Sequence, residues 1–165
     1  MAQVAGVITV NIEVVGAQPV ADRIRALQPV ILSGLKSTLD TWAEELANYI
    51  QQSKLSGDPL KQRSGALRES INPYREDAGD VLMGGAGGGA GLDYAKALEF
   101  GSRPHEILPV RAKFLRFEVD GRVVFARKVN HPGNRPFRYM RDSFAEKSEE
   151  GIARLRTVVR EAMAA

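Results

Sequence analysis

The sequence predicts an α+β domain in which a mainly antiparallel sheet is packed by a long helix in the N-terminal half and a C-terminal helix. Three observations support this class: residues 7–15 alternate strictly between apolar and polar, residues 30–53 carry an apolar stripe with helical spacing, and Asp120-Gly121 separates two apolar runs. At 165 residues and 44% hydrophobic, the chain can bury a core without disulfides or metals, so residues 1–165 are expected to form one domain.

The first predicted elements are a strand and a helix. Residues 7–15 have the period-2 pattern of a strand with one wet face. A short helical piece begins at Pro19, and Pro29 allows a fresh start, because proline is tolerated in a first helical turn. The stripe over residues 30–53 then predicts a long amphipathic helix, which favours core packing, although the same spacing would suit a helix of a neighbouring subunit. The stripe consists of Leu32, Leu35, Leu39, Trp42, Leu46 and Tyr49.

The middle of the chain is rich in turn residues. Residues 55–66 are expected to form an exposed loop, followed by strands over 67–74 and 80–83. The low-complexity run GGAGGGAG at 84–91 predicts a flexible loop that becomes ordered against a partner. A phosphate cradle is a weaker interpretation, because no Gly-Lys-Ser or Gly-Lys-Thr follows.

The last third alternates short elements before the final helix. Asp93 is expected to be the N-cap of a helix that stops at Gly101. Residues 105–110 predict an edge strand, because Pro104 and Pro109 would be poorly tolerated in a central strand. Asp120-Gly121 predicts a type I′ hairpin between residues 114–119 and 122–128. The pattern over residues 136–165 predicts a helix with a bend at Gly151.

Composition bounds the function. The absence of cysteine excludes thiolate chemistry and is compatible with a reducing cytoplasm. No run approaches the ~20 apolar residues of a spanning helix, and the N-terminus does not have the pattern of a secretory signal. The net charge of +3 invites a DNA-binding interpretation. Basic residues exceed acidic ones mainly between 103 and 141, which predicts a basic face on the sheet half.

Catalytic motifs are lacking. His105 and His131 are the two histidines, with Glu99 and Glu106 as nearby carboxylates in the sequence. There is no His-Glu-x-x-His helix and no Gly-x-Ser-x-Gly elbow, so we expect no enzyme activity, no metal and no cofactor. A small hydrolase built around either histidine remains the least favoured alternative.

Four passages, taken in order, resemble a known family. They are LSGDPLKQRSGALRESI at 55–71, YAKALEFG at 94–101, AKFLRF at 112–117 and HPGNRPF at 131–137. Their order and spacing are similar to those of the tail-completion or neck proteins of long-tailed bacteriophages, and the matching region spans about half of the chain. No single passage fixes a cofactor or a nucleophile.

The resemblance implies a structural virion protein of the neck that completes the tail end and joins the tail tube to the head connector. It implies a ring of copies, by analogy a hexamer, that contacts connector or stopper proteins and tube or terminator proteins while the genome DNA passes nearby. Assembly would take place in the host cytoplasm, with no membrane and no small-molecule substrate involved. A basic DNA-binding module is the alternative from another functional class.

Eight residues are candidates for the interface. The arginines among them could pair with acidic residues of adjacent subunits, which we favour, or could contact DNA phosphates. Phe137 could anchor an interface, or it could fill the core under the last helix. Glu99 and Phe100 lie in the passage that ends at Gly101. The candidates are Arg63, Arg68, Glu99, Phe100, His131, Arg135, Phe137 and Arg141.

Overall fold

The computed structural model describes residues 16–57, 65–79 and 81–164. Its class is α+β, as predicted, with two long helices and small antiparallel sheets. The predicted strand over 7–15 and the candidate Arg63 lie outside the described residues. The helices are α1 (Ala17–Tyr49), α2 (Ala66–Ser70), α3 (Asp93–Phe100) and α4 (Tyr139–Ala164). The strands are β1 (Asn72–Ala78), β2 (Val81–Gly87), β3 (His105–Ile107), β4 (Leu115–Val119), β5 (Arg122–Ala126) and β6 (Val129–His131).

Helices α1 and α4 pack against each other through Trp42. Its indole Nε1 donates a hydrogen bond to the carbonyl oxygen of Lys147 at 3.1 Å, and its ring meets Phe144 edge to face with centroids 5.7 Å apart. Gly151 faces the same indole: a Cβ added there would lie 2.6 Å from Nε1. The predicted helix continues through Gly151 without a break. The glycine allows the two helices to approach closely.

A π-helical turn, Ile50–Lys54, extends α1 and carries the chain into the core. The Leu55 N–H donates to the Ile50 carbonyl at 3.0 Å, the spacing of five residues that defines such a turn. Ile50 and Leu55 are both buried as a result. The turn also lets the Gln51 side chain donate to the Ile71 carbonyl at 2.8 Å, which attaches it to the segment between α2 and β1.

The β1–β2 hairpin lies on α1. Ion pairs hold it there: the Lys36 Nζ lies 2.5 Å from Asp77 Oδ2, and the Arg75 Nε lies 2.9 Å from Asp40 Oδ1. A Cβ at Gly84 would come within 2.5 Å of the Leu39 side chain. The prediction of a flexible loop over 84–91 is therefore wrong for residues 84–87, which pair with β1. Glycine is needed there because the β2 backbone lies directly on α1.

The described strands form three two-stranded sheets, β1–β2, β3–β6 and β4–β5, rather than one continuous sheet. Asp120 and Gly121 have φ values of 50° and 78°, so both turn positions are left-handed, as a type I′ turn requires. The predicted β4–β5 hairpin is confirmed. The edge strand predicted over 105–110 is present but ends at Ile107.

Two further predictions are wrong in detail. Residues 67–70 belong to α2, not to a strand, because the segment turns back toward α1 and buries Leu67. Pro29 does not restart a helix, since α1 runs through it. Proline removes one backbone donor there, and the surrounding turns maintain the helix.

Across the described residues, no helix is both long enough and apolar enough to cross a membrane.

Candidate interaction surface

Five of the candidate residues meet where α3 ends and α4 begins, a region called here the α3–α4 junction (Glu99, Phe100, Arg135, Phe137, Arg141). The Glu99 carboxylate is its centre. One oxygen accepts a hydrogen bond from the Met140 N–H at 2.9 Å, and the other accepts one from the Arg141 N–H at 3.1 Å. A carboxylate is favoured at a helix N-terminus because it satisfies unpaired donors and complements the helix dipole. Glu99, although distant in sequence, therefore caps α4.

Glu99 is a poor candidate for an interface with another molecule. Its side chain is buried, with only 8% exposed, and both carboxylate oxygens are occupied inside the chain. Burial, with the negative charge of Glu99 and then that of Tyr94 as smaller causes, raises the pKa of the Tyr139 hydroxyl. The sequence did not indicate this role, since no local spacing connects Glu99 with the start of α4.

Phe100 has the opposite environment. Its side chain is 66% exposed, and the Arg141 guanidinium lies over the ring, 6.0 Å from the centroid. An exposed aromatic ring beside an arginine has the composition of interface anchors. Phe100 and Arg141 are thus brought together on the outer side of the junction.

Phe137 and Arg135 lie on the segment that crosses in front of α3. The Phe137 N–H donates to the Leu98 carbonyl at 2.6 Å, and its half-buried ring packs against the core cluster. This placement agrees with the alternative in which Phe137 fills the core. Arg135 is exposed, and its side chain makes no hydrogen bond or ion pair with another described residue. Gly101 lets the segment pass, because a Cβ there would lie 2.7 Å from the Asn134 carbonyl oxygen.

His131 lies outside the junction, on β6. It pairs directly with His105 across the β3–β6 sheet, and the rings stack with centroids 5.0 Å apart. The His131 Nδ1 accepts from the Gly133 N–H at 3.0 Å, and the His105 Nδ1 lies 2.8 Å from the Arg103 carbonyl. Among the described residues, no group of three or more His, Asp or Glu could hold a metal ion. Both Nδ1 atoms thus serve the local turns.

Arg68 is half-buried on α2, and within the described residues no hydrogen bond or ion pair joins its side chain to the junction. Ion pairs elsewhere join α1 and its π-helical turn to α4. The Lys54 Nζ lies 2.9 Å from Glu146 Oε1, and Arg154 Nη1 lies 2.8 Å from Glu45 Oε2. Hydrogen bonds from Lys54 and Tyr49 lower the pKa of the Glu146 carboxyl, and the bond to Glu146 raises the pKa of Lys54.

Sequence reasoning did not indicate how much apolar side-chain surface is exposed among the described residues. The β4–β5 hairpin contributes strongly, because its main packing is between its own two strands. Phe125 is 63% exposed and Val119 46%. The alternating pattern predicted an apolar face here, but a sequence pattern does not tell whether another element covers that face.

Comparisons of this chain with protein-family models, with curated proteins and with solved structures found no match.

Proposed function

We propose that this chain is a structural virion protein of the neck of a long-tailed phage, which completes the tail end and joins the tail tube to the head connector. It would act in a ring of copies, by analogy a hexamer, and it would perform no catalytic turnover. The ordered resemblance of residues 55–71, 94–101, 112–117 and 131–137 is the sequence basis of the proposal. The localisation proposed is the virion, after assembly in the host cytoplasm.

The observation that carries the proposal is the β4–β5 hairpin, which packs mainly on itself within the described part of the chain and leaves Val119, Val123 and Phe125 46%, 47% and 63% exposed. A two-stranded hairpin is marginally stable alone, and large exposed apolar patches mark interaction sites. A hairpin with these exposed apolar side chains is suited to an assembly in which neighbouring proteins supply further packing. The exposed Phe100 and Arg141 of the α3–α4 junction would add a second contact area.

The order of neighbouring genes provides the first test. The proposal requires that the gene lies among structural phage genes, between those for connector proteins and those for tail proteins. Deleting it from that phage genome should leave filled heads and separate tails in electron micrographs, and the wild-type gene supplied in trans should restore joined particles. Joined, infectious particles from the deletion strain would refute the proposal.

DNA binding is the second candidate, and the charge of residues 103–141 favours it. This stretch holds ten Lys or Arg residues against Glu106, Glu118 and Asp120. A DNA-binding module should retain duplex DNA at low ionic strength and release it steeply as salt rises. Absence of binding at low salt would leave only the structural role.

A further inference from the structure

Among residues 16–57, 65–79 and 81–164, two sheet faces are only partly covered and have matching character. In β4–β5, the cross-strand pairs place Leu115 with Ala126, Phe117 with Val124 and Val119 with Arg122 on one side. We call this side the hairpin face. Five of its six side chains are apolar; Val119 and Val124 are 46% and 37% exposed, whereas Leu115, Phe117 and Ala126 are half-buried. Arg122 is its single charged residue.

The second surface is the side of β1–β2 that points away from α1, called here the outer face. Arg75, Asp77 and Gly84 lie on the inner side, as their contacts with α1 establish. Strand alternation therefore places their neighbours on the outer face. Tyr74, Val81 and Met83 are 51%, 53% and 41% exposed there. The other outer positions are Asn72, Glu76, Ala78, Gly85 and Gly87.

The two faces are complementary in charge as well as in apolar character. Glu76 is the only charged residue of the outer face, as Arg122 is of the hairpin face. Both side chains are exposed, and neither makes an ion pair within the described residues. Tyr74 lies over the backbone of Gly85 and Gly87, so the outer face offers a flat apolar strip beside one carboxylate.

We infer that the hairpin face of one copy docks on the outer face of a second copy, with Arg122 paired to Glu76. Sheets that pack face to face lie about 10 Å apart with interdigitated side chains, which would bury both apolar strips. A contact between two different faces is heterologous, so successive copies close into a ring or extend as a filament. The inference rests on the part of the proposed function in which copies of the chain assemble together.

Cysteine cross-linking tests the contact directly, because the natural chain contains no cysteine. Met83→Cys in one preparation and Val124→Cys in another place one thiol on each face. Val123→Cys is the matched control, since Val123 is 47% exposed but lies on the opposite side of the hairpin. On mild oxidation, the Met83→Cys and Val124→Cys mixture should form mixed dimers at least about tenfold faster than the control mixture. Equal rates would overturn the inference.

Charge reversal provides an independent measurement. Glu76→Arg and Arg122→Glu should each weaken self-association, measured by sedimentation equilibrium, by about tenfold or more, because like charges would then meet. An equimolar mixture of the two variants, or the double variant, should recover the association. Arg116→Glu, on the other side of β4, should change it little. No recovery in the mixture would refute the Arg122–Glu76 pair.

Other occupants would give different results. If the hairpin face instead folds onto the outer face of its own chain, the Met83→Cys, Val124→Cys double variant forms an internal disulfide while the mixed single variants do not cross-link. If DNA is the occupant, Arg116→Glu and Arg122→Glu weaken DNA retention alike. Either result overturns the inference. The cross-linking and charge-reversal tests could fail while the gene deletion still leaves tails unjoined. That combination would refute this contact but leave the proposed neck function in place.

Discussion

Replacing Gly151 by alanine tests how closely α1 and α4 pack. The added Cβ would lie 2.6 Å from Trp42 Nε1 and 2.8 Å from Cε2, well inside the ~3.5–4.0 Å of a normal contact. Overpacking costs about 1–3 kcal/mol, and displacing the indole also weakens its hydrogen bond to Lys147, worth about 1 kcal/mol. Alanine recovers about 1 kcal/mol of helix propensity. The expected net loss of unfolding free energy is therefore about 1–3 kcal/mol.

Urea unfolding followed by circular dichroism measures this loss, and Gly34→Ala is the matched control. Gly34 is also helical, and an added Cβ would meet one methyl group, Val158 Cγ1, at 2.6 Å. Gly34→Ala should remain within about 1 kcal/mol of the wild type, since the propensity gain offsets the shift of one methyl group. In a Trp42→Phe background the penalty at Gly151 should shrink. A Gly151→Ala protein as stable as the wild type would refute the packing argument.

Three further outcomes are expected. Glu99→Ala should lower the unfolding free energy by about 1–3 kcal/mol in denaturant titrations, because the Met140 and Arg141 N–H groups lose their buried acceptor. An unchanged midpoint would contradict the role of Glu99 as the cap of α4. Gly121→Val should remove amide protection in the β4–β5 hairpin while the thermal midpoint of the helices stays constant, because the hairpin packs mainly on itself. Lys54→Met should raise the pKa of Glu146 in a carboxyl NMR titration. In the wild type this pKa is lowered, mainly by the hydrogen bond from Lys54. The stability that the Glu146 carboxylate contributes is therefore present above its unfolded-state pKa and is lost as pH falls through its folded-state pKa.

The elements fixed by local chemistry were predictable from the sequence. Asp120-Gly121 specifies its turn by itself, because both positions must adopt positive φ. The spacing of Leu39, Trp42 and Leu46 specifies a helix with one apolar side, and all three are buried. Leu32 belongs to the same stripe but is 39% exposed, because a stripe indicates which side of a helix is apolar but not how much of it is covered.

The features that depend on distant residues could not be predicted. The GGAGGGAG run has the composition of a flexible linker, yet its first four residues form a strand because the backbone must lie against Leu39. The role of Gly151 depends on a distant residue too, since the glycine accommodates an indole more than 100 residues away in the chain. In both cases the sequence shows a glycine, but it does not show which distant side chain packs against the glycine backbone.

The adjacent residues Glu99 and Phe100 show why the interface candidates divide as they do. The last turn of α3 directs Glu99 inward, where α4 supplies two unpaired N–H donors, and leaves Phe100 in solvent beside Arg141. A buried carboxylate that already accepts two backbone hydrogen bonds is not accessible to a partner, whereas an exposed ring loses unfavourable hydration when a partner covers it. The passage that ends at Gly101 therefore combines a structural role at Glu99 with a surface suited to binding at Phe100. Changes at the first position should act through stability, and changes at the second through assembly.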